Sequence, residues 1–270
     1  MSIAADLARI EEALAAAALA LEPFTPGEIE SRLKAGDDPV TAADLAVDAR
    51  LRSLLPRAAE GWLSEETADD PSRLRASRVW VVDPIDGTRE FIQGIPEWCV
   101  SIGLVEEGRA VAGGILNPAT GERILGALGG GVDYRGTRSC SESTSLTGAT
   151  VLASRSEVGR GEWDHLGDPP FRVVAMGSVA FKLALVAAER VDATWTLVAK
   201  NEWDVAAGAA LVAASGGLLR RPDAASVRFN RATTLLPGFV AARSAVADEV
   251  VAFLGLPPLG AEPGVESDAG

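Results

Sequence analysis

The chain has 270 residues, 47 % of them apolar, enough for a sizeable core in one large domain or two small ones. Its net charge of −13, from 38 acids against 25 Lys and Arg, argues against nucleic acid as a partner, because phosphate backbones need clustered cations. Two cysteines (Cys99, Cys140) and one histidine (His165) exclude a disulfide framework and a thiolate zinc site, and leave almost nothing for a histidine-based triad.

A small anionic substrate remains compatible with the charge if bound cations reverse the sign locally. Any metal must then be held by oxygens, which selects a hard cation such as Mg²⁺. His165, in the polar stretch EWDHLGDPP, reads as a surface residue. No apolar run reaches membrane-spanning length. The apolar N-terminal stretch follows Glu11 and Glu12 and lacks the basic flank of a signal peptide, so a cytoplasmic protein is expected.

In chain order, residues 3–21 predict an Ala-rich amphipathic helix, which EPFTPGE ends. Residues 41–55 predict a second helix. Thr41 can cap it, Asp44 lies three on as in a capping box, and Leu45, Val47, Leu51, Leu54 and Leu55 make the apolar stripe. Residues 79–82 read as a buried strand. Strands at 99–105, 110–116 and 123–127 follow, separated by turn sequences, which predicts a meander and a largely antiparallel sheet. GALGGG lacks the spacing of a dinucleotide loop and reads as a turn.

From about residue 147 the pattern changes. Short strands at 151–153, 173–175 and 193–196 alternate with Ala-rich helices at 180–189 and 205–214, which predicts an α/β half. The expected division is an α+β half over 1–146, an α/β half over 147–256 and a disordered tail over 257–270.

The stretch VWVVDPIDGTREF ends a buried strand in two acids three residues apart. Pro84 stiffens the turn between Asp83 and Asp86, and Gly87 and Thr88 can present N–H groups and a hydroxyl to a phosphate oxygen. Two carboxylates beside an anion repel it unless a divalent cation lies between them. Alone, DPIDGT reads equally as a turn or a metal site. The same holds, with the bland reading favoured or even, for three other stretches. Glu65 and Glu66 in WLSEET fit a solvated surface. Asp38, Thr41 and Asp44 in DDPVTAAD, and Asp204 in NEWDVAAG, fit helix caps.

Taken together and in order, DDPVTAAD, EE, DPIDGT and EWDVAAG resemble the inositol monophosphatase superfamily of metal-dependent, lithium-sensitive phosphatases, over residues 34–217. The resemblance implies an αβαβα sandwich of the inositol monophosphatase and fructose-1,6-bisphosphatase type, an α/β fold with the active site between the two halves, and often a homodimer. It implies that Glu65, Asp83 and the Ile85 carbonyl hold one Mg²⁺, that Asp83, Asp86 and Asp204 hold a second, and that a third lies near Glu65. It implies that Asp44 and Thr88 orient the attacking water and that the Gly87 and Thr88 N–H groups grip the phosphate. Ser64 stands where the family usually has glycine. Two metals about 4 Å apart can clamp the attacking and leaving oxygens, so direct displacement without a phosphoenzyme is expected and no histidine base is needed. Phosphatases with an aspartyl nucleophile use Asp-x-Asp; here the spacing is i,i+3.

For the substrate, Leu197 stands seven residues before Asp204, where inositol phosphatases of this superfamily carry a sugar-binding glutamate. LKAGDDPVTAAD, DGTREF, ASRSE and GSVAFKLALVA resemble instead the bacterial 3'(2'),5'-bisphosphate nucleotidase branch, which implies adenosine 3',5'-bisphosphate as substrate. Arg155, Lys182 or Lys200 could meet its second phosphate, although Lys182 also reads as a lysine snorkelling from an apolar helix face. The alternatives are a phosphatase of another small metabolite (inositol or sugar phosphate, histidinol phosphate, a specialised-metabolism phosphate) and a catalytically silent binding subunit.

Overall fold

The computed structural model of the chain describes residues 2–34 and 39–258. Asp38 and residues 259–270 of the tail lie outside the described residues. The first segment forms α1 (Ile3–Leu21), whose buried Ile10, Ala13, Leu14, Ala17 and Leu21 follow helical spacing. A hairpin of β1 (Ser31–Leu33) and β2 (Pro39–Thr41) leads into α2 (Ala42–Leu54). Thr41 and Asp44 form the expected capping box. Val47, Leu51 and Leu55 are buried as expected, but Leu45 is 53 % exposed, because two residues along a helix turn a side chain away from the buried face.

The next strands are β3 (Glu60–Ser64), β4 (Arg78–Asp86), β5 (Cys99–Glu106), β6 (Arg109–Asn117), β7 (Glu122–Ala127) and β8 (Gly131–Arg135); they lie side by side in that order, with α3 (Thr88–Ile92) after β4. From β4 to β8 the pairing is the expected antiparallel meander, while β3 joins β4 in parallel. GALGGG spans the end of β7, a turn and the first residue of β8. β8 (GVDYR) turns only Val132 and Tyr134, both half-buried, toward the core, and two alternating apolar residues are too short a pattern to mark a strand.

The second part runs β9 (Thr150–Ser154), α4 (Arg155–Gly159), β10 (Arg172–Met176), α5 (Val179–Ala187), β11 (Ala193–Thr196), β12 (Lys200–Asn201), α6 (Glu202–Ala214), β13 (Leu218–Arg220), β14 (Leu235–Leu236), β15 (Phe239–Ala242) and α7 (Ala247–Phe253). Five of these strands form a second sheet, ordered β10-β9-β11-β15-β13. Asn201 caps α6, so α6 begins three residues earlier than expected and Asp204 lies inside its first turn rather than ahead of it.

The layers follow from which faces are apolar. α1 and α2 cover one face of the first sheet; α5 and α6 cover the other and back the second sheet; α7 packs on the far side against β15. The result is the expected αβαβα sandwich. β4 is buried on both faces: Trp80 and Val82 enter the α1/α2 core, Val79 and Val81 the α5/α6 core. That double burial is why VWVV is an unbroken apolar run. Two glycines bring α6 close to its neighbours. A Cβ on Gly113 would lie 2.4 Å from the Ala207 carbonyl oxygen, and one on Gly208 2.4 Å from Leu183 Cβ. The close seating of α6 fixes the helix turn that carries Asp204.

His165 is exposed, as expected. Among the described residues no helix is long and apolar enough to cross a membrane.

Candidate active site

Along a regular strand, residues three apart point to opposite faces. Asp83 pairs with Ser101 and Asp86 with Cys99, so three steps on β4 match two on β5. The extra residue is a β-bulge at Pro84 and Ile85, and it brings both carboxylates to one cleft. Pro84 has no N–H to donate, so its place in the bulge loses no ladder bond. The Ile85 N–H turns inward and donates to Asp83 Oδ1 at 3.1 Å.

Asp204 supplies the third carboxylate from α6, where its Oδ2 accepts the Asn201 N–H at 3.0 Å. One carboxylate oxygen from each of Asp83, Asp86 and Asp204 lies within 4.8 Å of the others. Burial, and then repulsion from Glu65 and Asp86, raises Asp83 well above the ordinary carboxylate range; burial and Asp86 do the same to Asp204. Asp86 is raised by burial too, against hydrogen bonds from Ser178 Oγ (2.6 Å) and Ala180 N (2.5 Å). Three converging oxygens with excess negative charge and no nitrogen or sulfur ligand fit a hard divalent cation.

Glu65 follows β3 and stands outside this trio. Its Oε1 accepts from Lys34 Nζ at 2.7 Å, and Glu66 Oε1 does the same at 2.7 Å. Burial raises Glu65 to about 7 despite Lys34, with Glu66 and Asp44 adding repulsion. The sequence reading assigned nothing to Lys34; its signal was a rare lysine just ahead of DDPVTAAD. Ser64 fills the place expected to be glycine, and its hydroxyl donates to Asp48 Oδ1 at 2.5 Å, while Thr67 donates to Asp48 Oδ2 at 2.6 Å.

Thr88 Oγ1 lies 3.2 Å from Asp44 Oδ1 and 3.0 Å from the Ile85 carbonyl. The other Asp44 oxygen accepts from Thr41 N (2.8 Å) and Thr41 Oγ1 (2.6 Å), so the capping box of α2 also aims Asp44 at Thr88. Gly87 adopts φ +99°, and a Cβ there would lie 3.0 Å from the Glu97 carbonyl oxygen. Only glycine suits that position.

The three candidate cations differ. Lys182 is buried, and its Nζ lies 3.2, 3.4 and 2.8 Å from the carbonyls of Met176, Gly177 and Ser178. These carbonyls use all three ammonium protons, so Lys182 holds the loop before α5 rather than reaching outward. It is not a snorkelling surface lysine either, and burial lowers it to about 8. Arg155 is half-exposed, and Glu97 accepts from its Nε (3.2 Å) and Nη2 (2.5 Å). Lys200 Nζ lies 3.6 Å from Glu157 Oε1. Arg155, Lys182, Lys200 and the three aspartates line one cavity of about 250 Å³, with Glu65, Gly87 and Thr88.

Ser178, which the sequence reading passed over, holds the cleft from the start of α5. It takes φ +55°, caps α5 by accepting from Phe181 N at 3.0 Å and donates to Asp86. A non-glycine residue in that conformation persists only where its surroundings dictate it. The available signal was a serine directly before an apolar helix.

The sequence profile of the inositol monophosphatase family matches residues 4–252. The inositol-1-monophosphatase of Rhizobium meliloti is 34 % identical over 206 residues, 71 % of this chain and 76 % of that one. The 3'-phosphoadenosine 5'-phosphate phosphatase of Mycobacterium leprae is 33 % identical over 263 residues, 91 % of this chain and 90 % of that one. The crystal structure of the extragenic suppressor protein suhB from Bartonella henselae superposes with a TM-score of 0.76 at 26 % identity, covering 93 % of this chain and 98 % of that one. With a family match over nearly its whole length, on this sandwich and around this trio of aspartates, the chain belongs to the inositol monophosphatase family and is a phosphoric monoester hydrolase.

Proposed function

We propose that the protein is a Mg²⁺-dependent phosphatase that removes the 3'-phosphate of adenosine 3',5'-bisphosphate or a related nucleotide by attack of water. The observation that carries this reading is a cleft with two signs of charge. Asp83, Asp86 and Asp204 stand among its walls together with Arg155 and Lys200. A substrate with two phosphates matches both: one goes to the metal-holding acids, the other to the cations, by charge-assisted hydrogen bonds. Glu97 occupies Arg155 Nε and Nη2 and leaves Nη1 without an acceptor among the described residues. The place of the sugar-binding glutamate is taken by Leu197, 64 % exposed, which offers hydroxyls nothing. The broad likeness to the Mycobacterium leprae enzyme supports the same substrate class.

Asp83, Asp86, Asp204, Glu65 and the Ile85 carbonyl are the groups we assign to hold two or three Mg²⁺ ions. Bound Mg²⁺ supplies charge neutralisation at the phosphate and acidifies water near neutral pH. The chain's own groups do the rest. The Thr88 hydroxyl, held by Asp44, orients the attacking water; the N–H groups of Gly87 and Thr88 donate to phosphate oxygens. Asp86, fixed by Ser178 and Ala180, ties this end of the cleft to the second half. We assign the halves to residues 1–146 and 147–256.

Phosphate release with Mg²⁺ from adenosine 3',5'-bisphosphate, 2'- and 3'-mononucleotides, inositol 1-phosphate and fructose 1,6-bisphosphate tests the reading. The bisphosphate nucleotide should lead in kcat/KM by about tenfold or more, and Arg155→Gln should shrink that lead. EDTA should stop turnover, and Mg²⁺ should restore it better than Zn²⁺. A lead for inositol 1-phosphate would favour the second reading, a phosphatase of another small metabolite, which the Rhizobium meliloti relative supports. Our reading also includes a homodimer, from the family resemblance, and a cytoplasmic location; sedimentation and cell fractionation check them.

A further inference from the structure

A second cavity, of about 450 Å³, lies away from the catalytic cleft, between the C-terminal half of α6, β13 and the start of β6. Three arginines line it, Arg109, Arg220 and Arg228, and none of its lining residues is acidic. In a chain with 38 acids and 25 basic residues, such a patch runs against the general charge. Arg220 is the key group. It sits on the edge strand β13, is 6 % exposed, and its Nε and Nη2 have no hydrogen-bond partner among the described residues. Burying a guanidinium without an acceptor is unfavourable. An oxyanion in the cavity removes that penalty, and the arginine fork matches two phosphate oxygens at once.

We propose that this cavity is an anion site that binds an organic phosphate, independently of the catalytic cleft. Arg220, Arg109 and Arg228 take the phosphate, and the Ser226 hydroxyl is a further polar group on the wall. Ala209 and Phe229 belong to the apolar part of the lining, where a carbon skeleton can lie. The volume exceeds that of phosphate alone and lies in the range of small-molecule sites.

Calorimetric titration of the full chain in EDTA and low salt, with adenosine 5'-monophosphate and with inorganic phosphate as probes, tests this. Without metal the acidic end of the catalytic cleft repels both. The nucleotide should bind about tenfold tighter than inorganic phosphate, because of the apolar wall. Arg220→Met should weaken its binding about tenfold or more, and Arg155→Gln, in the catalytic cleft, should leave it unchanged. If Arg220→Met does not fold, the double variant Arg109→Gln, Arg228→Gln, at two exposed positions, should show the same weakening. No binding of either probe at millimolar concentration overturns the site. So does binding lost with Arg155→Gln and kept in the cavity variants. Equal affinity for the two probes overturns the organic part of the assignment.

Discussion

The Lys34 ammonium lies 2.7 Å from Glu65 Oε1 and 2.7 Å from Glu66 Oε1, so one cation is shared between the two acids that follow β3. Burial works against a charged Lys34, but the hydrogen bonds it donates to the two glutamates, and their charge, outweigh it and hold the ammonium protonated above its usual range. A divalent ion at Glu65 must therefore compete with a cation already in place.

Lys34→Gln removes that competitor. Apparent affinity for a divalent ion should rise about two- to fivefold, the scale of one partly exposed ion pair. Titration with Mn²⁺, followed by the spin-resonance signal of the free ion, reads this without turnover. Unchanged or weaker binding would mean that Lys34 supports the metal site instead of occupying it.

Asp83→Asn tests the bulge. The side chain keeps its shape and its place opposite Ser101, but loses the charge that faces Asp86 and Asp204. Turnover should fall by about 10³-fold or more, the scale of removing a central electrostatic group. In EDTA the variant should melt roughly 2–4 °C higher, since a buried charge repelled by its neighbours is gone. Near-normal phosphate release would refute the role assigned to Asp83.

The carboxylates of the site were legible because each sits where sequence marks a boundary. Asp44 closes a capping box, Asp83 ends an apolar run, and Asp204 opens an Ala-rich helix. What stayed hidden were contacts between distant segments. Ser178 meets Asp86 from 92 residues away, and Lys34 meets Glu65 from 31. No local periodicity encodes such pairings. Lys182 shows the same limit: a lysine that folds back onto the carbonyls before its own helix has the same sequence as one that reaches a ligand. The elements themselves were easier to read, since the unbroken apolar run of β4 and the Ala-rich apolar stretches of α1, α5 and α6 are compositional, whereas their stacking into layers came from the family resemblance. The edge strands β8 and β13 offer only two apolar residues each, too few for a readable pattern.

Ser64→Gly restores the residue that the family usually carries and removes the hydroxyl that Asp48 accepts. Asp48 is buried, and Thr67 remains its other donor. The change should destabilise the fold by about 1–2 kcal/mol, from one lost charge-assisted bond and added backbone freedom. Because Ser64 touches no metal-holding oxygen, kcat should change by less than about threefold. Urea unfolding and phosphate release on one preparation separate the two effects. A large kcat loss with intact stability would show that the Ser64–Asp48 contact positions Glu65.

Glu60 supplies a pH dependence independent of the metal site. It starts β3 and receives Arg9 Nη1 (3.0 Å) and Nη2 (2.6 Å), Trp80 Nε1 (3.0 Å) and the Arg57 N–H (3.0 Å), pinning α1 to the first sheet. Burial alone would raise this carboxyl, but the hydrogen bonds from Arg9, Trp80 and Arg57 outweigh it and lower it from 4.5 to about 2. A lowered carboxylate stabilises the folded state fully above its unfolded value, and that stability is lost as pH falls through the folded value. Glu60→Gln should therefore cost about 2 kcal/mol at pH 7, less than the full shift implies because solvent screens part of it. The difference between wild type and variant should hold down to pH 4.5 and then shrink toward pH 2. Denaturant unfolding of both proteins at several pH values measures it. A gap that persists unchanged to pH 2 would mean that shape and hydrogen bonding at Glu60, not its charge, hold α1 in place.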